Sequence, residues 1–583
     1  MAEKVSHELE DGSQPILPRQ TESNADSHTE SDTNPHRWRN LGILLVMNMV
    51  SFVQAFDATC ISVVLPPSLT HIQALARELD ASFSESLTMG SIFLLATAIS
   101  QPIFAELSQV VGRRPAYIAC LVIFITGTAL CGAAKSSMML LAGRAVQGVG
   151  SGGPQALSGL ILTDMFHARK RSQTMAIQNI SWALGTIAGP LVGGAIVLNK
   201  DSLWRWIFWC TIPFLGVSLI GAMFLLGYDQ DQRNCSLIKN LDWIGLLLYI
   251  ISSISLVLPL TWGGSRFPWE STQIIILLGI SVLGFMALGV YEKSAKRPMF
   301  PRSMFKEKST ILQFVNAAIH GVVMWMVLYY LAVYFLGVKG QSPLMTGVWA
   351  LPATITVAPM AAVVGLVASR TGKYQGFLIG GWALLVAIFG VMTILDKDTP
   401  TAPILVITMF VGIAMGLLFP VMSIGVQATV EKEDVGHAVS MIYVLRTMGQ
   451  CLGIALGIVV FSVELRMQLK SMGLDTAQVK NAMKMIKATV EQGDIEQGGI
   501  GQELLMEAVS KALQRLWMIG SILAGLALIL SLFTRCPKLP KDNEPAWASG
   551  YDHGDQTVVT RIWNYIAHLR NPSIPLIVIS KPR

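Results

Sequence analysis

A chain of 583 residues with 52% hydrophobic and only 14% charged side chains is too apolar for a soluble domain, in which about a quarter of the residues are charged. Repeated apolar runs of about 20 residues predict an all-α polytopic membrane protein. The net charge of +6 does not indicate nucleic-acid binding, because the basic residues follow the loops between apolar runs. The seven cysteines lie mostly inside those runs, at no metal or disulfide spacing, so no metal site is predicted.

The chain begins with a polar segment and a first helix that contains a carboxylate. Residues 1–40 lack the apolar core of a signal peptide and predict a disordered cytosolic tail. The first predicted helix, residues 41–66, contains Asp57. A carboxylate at membrane depth is costly and indicates a functional site, here a proton-binding one. The alternative is a hydrated position for Asp57 near the outer end of the helix.

The next predicted helix, residues 85–107, leads into a basic loop with Gly112, Arg113 and Arg114. We interpret these three residues as a conformational motif. Anchoring of the loop on the inner side of the membrane would by itself account for both arginines.

Residues 141–196 contain two apolar helices, the fourth and fifth, with unusual residues. In the fourth, Arg144 begins a polar stripe at helical spacing that continues through Gln147, Ser151 and Gln155, and we expect this stripe to face a cavity. The fifth has a face of small residues that predicts close packing against a neighbouring helix; its motif residues are Gly185, Gly189, Pro190, Gly193 and Gly194.

Further apolar runs bring the prediction to about 14 transmembrane helices. Short loops assigned to the inner side hold 16 Lys and Arg against 6 on the outer side, which places both termini in the cytosol. The polar segment 464–512 is expected to form a small extracellular subdomain, and residues 535–583 a cytosolic tail.

Four of these stretches resemble motifs of the major facilitator superfamily. R-x-x-Q-G-x-G-x-G from Arg144 resembles its fourth-helix motif, and G-x-x-x-G-P-x-x-G-G from Gly185 the fifth-helix motif of proton-driven exporters. D-x-T at Asp57 and the Gly112 loop resemble two further motifs, although Gln109 stands where the family has Asp. The resemblance implies a drug:proton antiporter of the fourteen-helix family, similar to fungal toxin-efflux pumps.

An internal repeat agrees with that fold. Gly185, Gly189 and Gly193 are matched 264 residues later by a second set of glycines, and other pairs lie at nearly the same offset. We therefore predict an N-terminal six-helix half (41–228), two inserted helices with a basic cytosolic loop (229–308) and a C-terminal six-helix half (309–534). The offset places His320 near the counterpart of Asp57, and it and Arg446 are further cavity candidates. The alternatives are a structural hydrogen bond for His320, and pairing of Arg446 with lipid or Glu433 at the inner surface.

These observations favour a secondary transporter rather than an enzyme. No nucleotide-binding motif occurs, so an ion gradient must supply the energy, and no cofactor is expected besides the proton gradient. We expect Asp57 and Arg144 to couple protons to export of a small hydrophobic toxin, drug or metabolite by alternating access. The expected setting is a monomer in the plasma membrane, with the vacuolar membrane as the alternative. The alternative functions are a siderophore or basic amino-acid transporter of the same fold and, more remotely, a non-transporting receptor.

Overall fold

The computed structural model describes residues 35–64, 78–79, 83–166, 168–199, 203–226, 242–263, 267–295, 298–431, 434–472 and 500–537. Within these ranges the regular structure is helical, with one isolated backbone bridge between Gly263 and Phe267. The predicted all-α class is therefore confirmed. The main helices are α1 (Pro35–Val64), α2 (Phe83–Val111), α3 (Arg113–Gly132), α4 (Ser137–Met165), α5 (Ala168–Asn199), α6 (Ile212–Leu225), α7 (Trp243–Trp262), α8 (Thr272–Glu292), α9 (Lys308–Val333), α10 (Pro343–Ile355), α11 (Val357–Thr371), α12 (Gln375–Met392), α13 (Thr401–Thr429), α14 (Val435–Ser471) and α15 (Ile500–Leu532).

The number of membrane crossings follows from the length and hydropathy of these helices. In the described ranges, 13 helical segments are long and apolar enough to cross a bilayer, with α10 and α11 joined in one of them. Helix α4 adds one crossing to these 13 and makes fourteen. Its 29 residues are enough to cross a bilayer, although Arg144 and its polar neighbours lower its hydropathy. It packs between α2 and α3, so its polar residues are shielded from lipid. The prediction of about fourteen crossings is confirmed.

Two sharp turns occupy corresponding places in the two halves of the chain. Gly112, between α2 and α3, has a φ of 93°, and Gly372, between α11 and α12, has a φ of 70°. Both angles lie in the region that glycine adopts without steric cost. We name one side of the bundle the Gly112 side, and the opposite side, where α5 ends, the Asn199 side.

The glycine faces of α5 and α14 make equivalent contacts. A Cβ atom on Gly185 would collide with the carbonyl oxygen of Phe52 on α1, and one on Gly449 with that of Ala318 on α9. Small residues let the two backbones touch, which is how helices associate closely within a bilayer. The equivalent contacts agree with the repeat read from the sequence.

The first six helices meet the last seven along one seam. Helix α5 packs along α10 and α11, and α14 packs along α2 and α4. On the Asn199 side, the Tyr329 hydroxyl donates to the carbonyl of Ala58 over 3.2 Å. Towards the Gly112 side, the ring of Tyr443 packs against Gly159. Contacts therefore close the seam towards both sides.

The inserted helices α7 and α8 pack against each other, and α7 also contacts α2 and α14. Many large apolar side chains of α8 are exposed, among them Ile275, Leu283 and Val290. Such a face is suited to lipid.

The structure revises several predicted boundaries. Helix α14 continues to Ser471 and α15 begins at Ile500, so both ends of the expected subdomain 464–512 extend these helices instead. Its centre, 473–499, lies outside the described residues. Helix α1 begins at Pro35, within the expected tail, while residues 1–34 and most of the C-terminal tail also lie outside the described residues.

Candidate functional site

Asp57 is buried inside the first half. Its side chain on α1 is 1% exposed, so it is not the hydrated residue of the alternative interpretation. Oδ2 accepts a hydrogen bond from Nε2 of Gln147 on α4 over 3.0 Å. Oδ1 has no hydrogen-bond partner among the described residues. A buried carboxylate with an unpaired oxygen is a suitable proton acceptor.

Arg144 lies beside Asp57, but the two side chains do not form a direct ion pair. Its Nη1 donates to Oε1 of Gln147 over 2.6 Å, and its Nη2 to the backbone carbonyl of Asp57 over 3.4 Å. The guanidinium stacks on the ring of Phe93, 4.1 Å from the ring centre. Gln147 therefore bridges the acid and the base, with its amide aligned between a cation and a carboxylate. A change of charge on Asp57 would act on Arg144 through this one side chain.

The rest of the polar stripe bonds to neighbouring helices. The backbone carbonyl of Ser151 accepts from the Gln54 side chain, and the half-buried Gln155 accepts from Nε2 of Gln101 on α2 over 2.9 Å. The same nitrogen donates to Oγ1 of Thr447 on α14 over 3.0 Å. The stripe is thus linked to the second half through Gln101, which the sequence analysis missed.

Arg446 is buried at the seam in the second half. It is 2% exposed and lies eleven residues, about 16 Å, along α14 from Val435, so it does not reach lipid as one alternative supposed. Its Nη2 donates to the carbonyl of Phe419 over 2.9 Å, and its guanidinium stacks on that ring at 4.2 Å. Within the described residues, which exclude Glu433, Nε has no hydrogen-bond partner and Arg446 forms no ion pair.

His320 shares the Phe419 ring with Arg446. It is fully buried, and its imidazole packs edge-on against Phe419 at 5.8 Å and Trp382 at 6.4 Å. A backbone group of Met415 on α13 faces the imidazole, in line with the alternative of a structural hydrogen bond to a neighbouring helix.

A small cavity of about 50 Å³ lies between the halves, and its walls are mainly apolar. Its lining comes from α5 and from helices of the second half, and includes Trp182, Thr186, Met324, Leu331, Val357 and Met415. None of the five predicted cavity candidates is part of its lining: Gln147 and Gln155 bond to side chains of neighbouring helices, the backbone carbonyl of Ser151 accepts from Gln54, and His320 and Arg446 pack on Phe419. This cavity does not support the expectation that the polar stripe faces a cavity, which stays a prediction.

The motif residues on the Gly112 side form surface contacts. Arg113 donates to Asp164 over 3.2 Å and to Ser108 over 2.6 Å, and Arg114 donates to the carbonyl of Met223. Gln109, where the resembling family has Asp, is 2.7 Å from the imidazole of His437 at the start of α14. The same imidazole nitrogen lies 3.9 Å from the Glu106 carboxylate, so Gln109 and Glu106 both contact the second half through His437.

Several important residues were not found from the sequence. Trp182 stacks on Phe419 at 5.2 Å and on Trp325 at 5.6 Å, across the seam. Trp182 also lies 264 residues before Arg446, the offset that aligns the two glycine faces. Applying that offset to every residue of the fifth helix would have identified it.

Comparison with known proteins decides the family. A model described as Major Facilitator Superfamily matches residues 47–454. This chain belongs to the Major Facilitator Superfamily. It is 34% identical to "MFS transporter L2" of a Phoma species, over 89% of this chain and 86% of that protein. It is 30% identical to "MFS efflux transporter aclA" of Aspergillus oryzae, over 86% of this chain and 92% of that protein.

A solved structure agrees on the fold. A bacterial homologue of the human lysosomal transporter Spinster, in an inward-facing and unoccupied conformation, matches with a TM-score of 0.54 at 16% identity, covering 85% of this chain and 97% of that one. The suspected family and fold are therefore confirmed. The chain is a multi-pass membrane protein and a secondary transporter that exports small molecules, not an enzyme. No cluster of residues suited to a metal ion occurs in the described ranges.

Proposed function

We propose that the transporter exports hydrophobic small molecules in exchange for protons, with Asp57 as the proton-binding group. The observation that carries this proposal is the buried Asp57 carboxylate, with one unpaired oxygen and the other bonded to Gln147. Among the carboxylates whose burial the structure describes, Asp57 is the most buried: it is 1% exposed, against 9% for Glu292, and the side chains of Glu464 and Glu106 are 12% and 22% exposed. The site lies on α1, which packs along α5, so its state can influence the seam.

The proposed mechanism is alternating access between the halves 41–228 and 309–534. Protonation removes the charge of Asp57, and Arg144 then loses the carboxylate that Gln147 holds close to it. Arg144 stays charged throughout, because an arginine does not titrate in the working range. The proton leaves when the halves rock and the site faces the other side.

The cavity supports a hydrophobic substrate. Its lining is built from aromatic, aliphatic and methionine side chains, and such surfaces accept varied apolar molecules. The buried, unpaired cation of Arg446 close to this cavity would oppose a cationic substrate, which argues against a basic amino acid.

Reconstituted vesicles test the coupling. We expect a pH gradient to drive accumulation of a hydrophobic dye by the wild type, and a protonophore to abolish it. Asp57→Asn should lose gradient-driven accumulation but keep dye-for-dye exchange, because asparagine mimics the protonated acid. Asp398→Asn is the matched control, since Asp398 is exposed in a loop. Unchanged gradient-driven accumulation in Asp57→Asn would contradict the proposal, as would proton-driven uptake of ferric siderophores instead of dye export.

The proposed setting is the plasma membrane, with a monomeric chain and both termini in the cytosol. The distribution of basic residues between short loops supports this orientation. A fluorescent fusion would separate the plasma membrane from the vacuolar membrane. Protease access to terminal tags in sealed cells would test the orientation, and light scattering of the purified protein the monomeric state.

A further inference from the structure

Arg446 is a buried cation that the proposed proton site does not use. Each of three residues around it touches the first half: Phe419 stacks on Trp182, Thr447 bonds to Gln101, and Tyr443 packs against Gly159. Arg446 therefore lies at the seam, where the halves must separate during alternating access. Its position is central to the bundle, even though Phe419 covers it in this structure.

The charge of Arg446 is poorly compensated by the protein. One backbone carbonyl and the rings of Phe419 and Tyr443, at 4.2 and 5.9 Å, face the guanidinium, while Nε has no hydrogen-bond partner among the described residues. Burial of an ion costs several kcal/mol unless an opposite charge and further hydrogen bonds offset it. Arg144 differs, because Gln147 and two backbone carbonyls accept from it close to Asp57. A buried arginine without an acidic partner among the described residues is suited to bind an acidic ligand that associates and dissociates.

Other nitrogen atoms that can donate hydrogen bonds lie around the same aromatic cluster. Nε1 of Trp325, which stacks on Trp182, has no hydrogen-bond partner among the described residues, and the imidazole of His320 packs on Phe419. Guanidinium, imidazole and indole groups are the donors that proteins use for acidic oxygen atoms. The rings between them, Trp182 and Phe419, offer flat apolar surfaces next to the cavity.

We infer that Arg446 binds an acidic group of the exported molecule, so that the substrates are hydrophobic ring compounds bearing a carboxylate or a comparable acid. The inference rests on the proposed export function and names the chemistry of its substrate. The rings of the substrate stack on Trp182 and Phe419 when the seam opens, and its acidic group takes the bidentate position on the guanidinium.

The test is a binding comparison on the purified full chain in lipid nanodiscs. The probes are 1-pyrenebutyric acid and its methyl ester, which share a flat apolar ring system and differ in the acidic group. Energy transfer from tryptophan to pyrene reports binding without any need for transport. Charge-assisted hydrogen bonds predict that the acid binds the wild type at least about tenfold more tightly than the ester.

Variants assign this preference to Arg446. In Arg446→Gln the affinity for the acid should fall to that for the ester, while Arg446→Lys should keep part of the preference. Arg370→Gln, at an exposed arginine near the end of α11, is the matched control and should bind like the wild type. Equal binding of acid and ester to the wild type would overturn the inference. So would an acid preference that survives in Arg446→Gln, or failure of both probes to bind.

Stability distinguishes a binding role from a structural one. If Arg446 serves the substrate, Arg446→Met should unfold at the same temperature as the ligand-free wild type or higher, because an uncompensated buried charge is removed. A large drop in the unfolding temperature of both Arg446→Met and Arg446→Gln would instead make Arg446 structural and overturn the inference. Asp57→Asn separates this inference from the proposed function, since it should keep the acid preference while losing proton-driven transport.

Discussion

Replacing Gln147 by leucine should destabilise the protein more than any other single loss of a hydrogen bond at the Asp57 site. The Gln147 amide donates to Asp57 and to Thr128, each over 3.0 Å, and its oxygen accepts from Arg144 over 2.6 Å. Leucine has a similar volume but can make none of these bonds. Both oxygens of Asp57 would then be unpaired, and Arg144 would lose its shortest hydrogen bond.

The magnitude follows from the two bonds to charged groups. A hydrogen bond to a charged group contributes about 1.5–3 kcal/mol, so losing two costs about 3–6 kcal/mol. For a chain of this size the unfolding entropy is about 1 kcal/mol/K, so the unfolding temperature should fall by about 3–6 °C. Thr128→Val removes two neutral hydrogen bonds, the one accepted from Gln147 and the one donated to the carbonyl of Phe124, and should lower it by only about 2 °C.

A thiol-reactive dye provides the assay. Cys60, Cys120, Cys131 and Cys451 are buried and become reactive when the protein unfolds. In a double-mutant cycle, Gln147→Leu combined with Asp57→Asn should be less destabilised than the sum of the single variants, because each removes the same charge-assisted hydrogen bond between Gln147 and Asp57. The bridging role of Gln147 would be refuted if Gln147→Leu were no less stable than Thr128→Val, or if the two single effects simply added.

Two further predictions concern the packing of the halves. Gly449→Ala should lower the unfolding temperature, because the new Cβ would collide with a backbone carbonyl at a cost of about 1–3 kcal/mol. Gly380→Ala is the control and should have no such effect, because the space around Gly380 is open. Equal unfolding temperatures of the two variants would contradict this prediction. His437→Leu removes the 2.7 Å contact with Gln109 across the seam, so the Gly112 side should open more readily. A cysteine introduced by Ser440→Cys should then react faster with a maleimide in inside-out vesicles, and an unchanged rate would show that the contact does not hold the seam.

The sequence allowed prediction of those features that depend on local pattern. Helix number followed from apolar runs, and the glycine face around Gly185 followed from a four-residue spacing. The importance of Asp57 and Arg144 followed from the cost of charge in an apolar helix. The sequence did not predict that Gln147 connects Asp57 to Arg144, because this bridge depends on how α1 and α4 are rotated against each other.

The features that were missed depend on contacts across the seam. Nothing in the sequence near Trp182 or Phe419 indicates that they stack, since they lie more than 200 residues apart on helices of different halves. The polar stripe is absent from the lining of the cavity between the halves for a related reason. Polar side chains in a membrane helix can bond to other helices as well as line a cavity, and here Gln147 and Gln155 do the former.

The two buried arginines have different partners, and this difference organises the proposed cycle. Arg144 faces a carboxylate of the protein through Gln147, and in the proposed cycle its half responds to a proton. Arg446 faces no acid among the described residues, so its half is free to respond to an acidic substrate. The seam joins both sites through Gln101, which bonds to Gln155 on the helix of Arg144 and to Thr447 beside Arg446. Rocking of the halves must break the bond between Gln101 and Thr447, because these residues belong to different halves. In the proposed cycle, proton binding and substrate binding therefore act on the same seam from separate halves. That arrangement provides a physical basis for exchange of one ligand for the other.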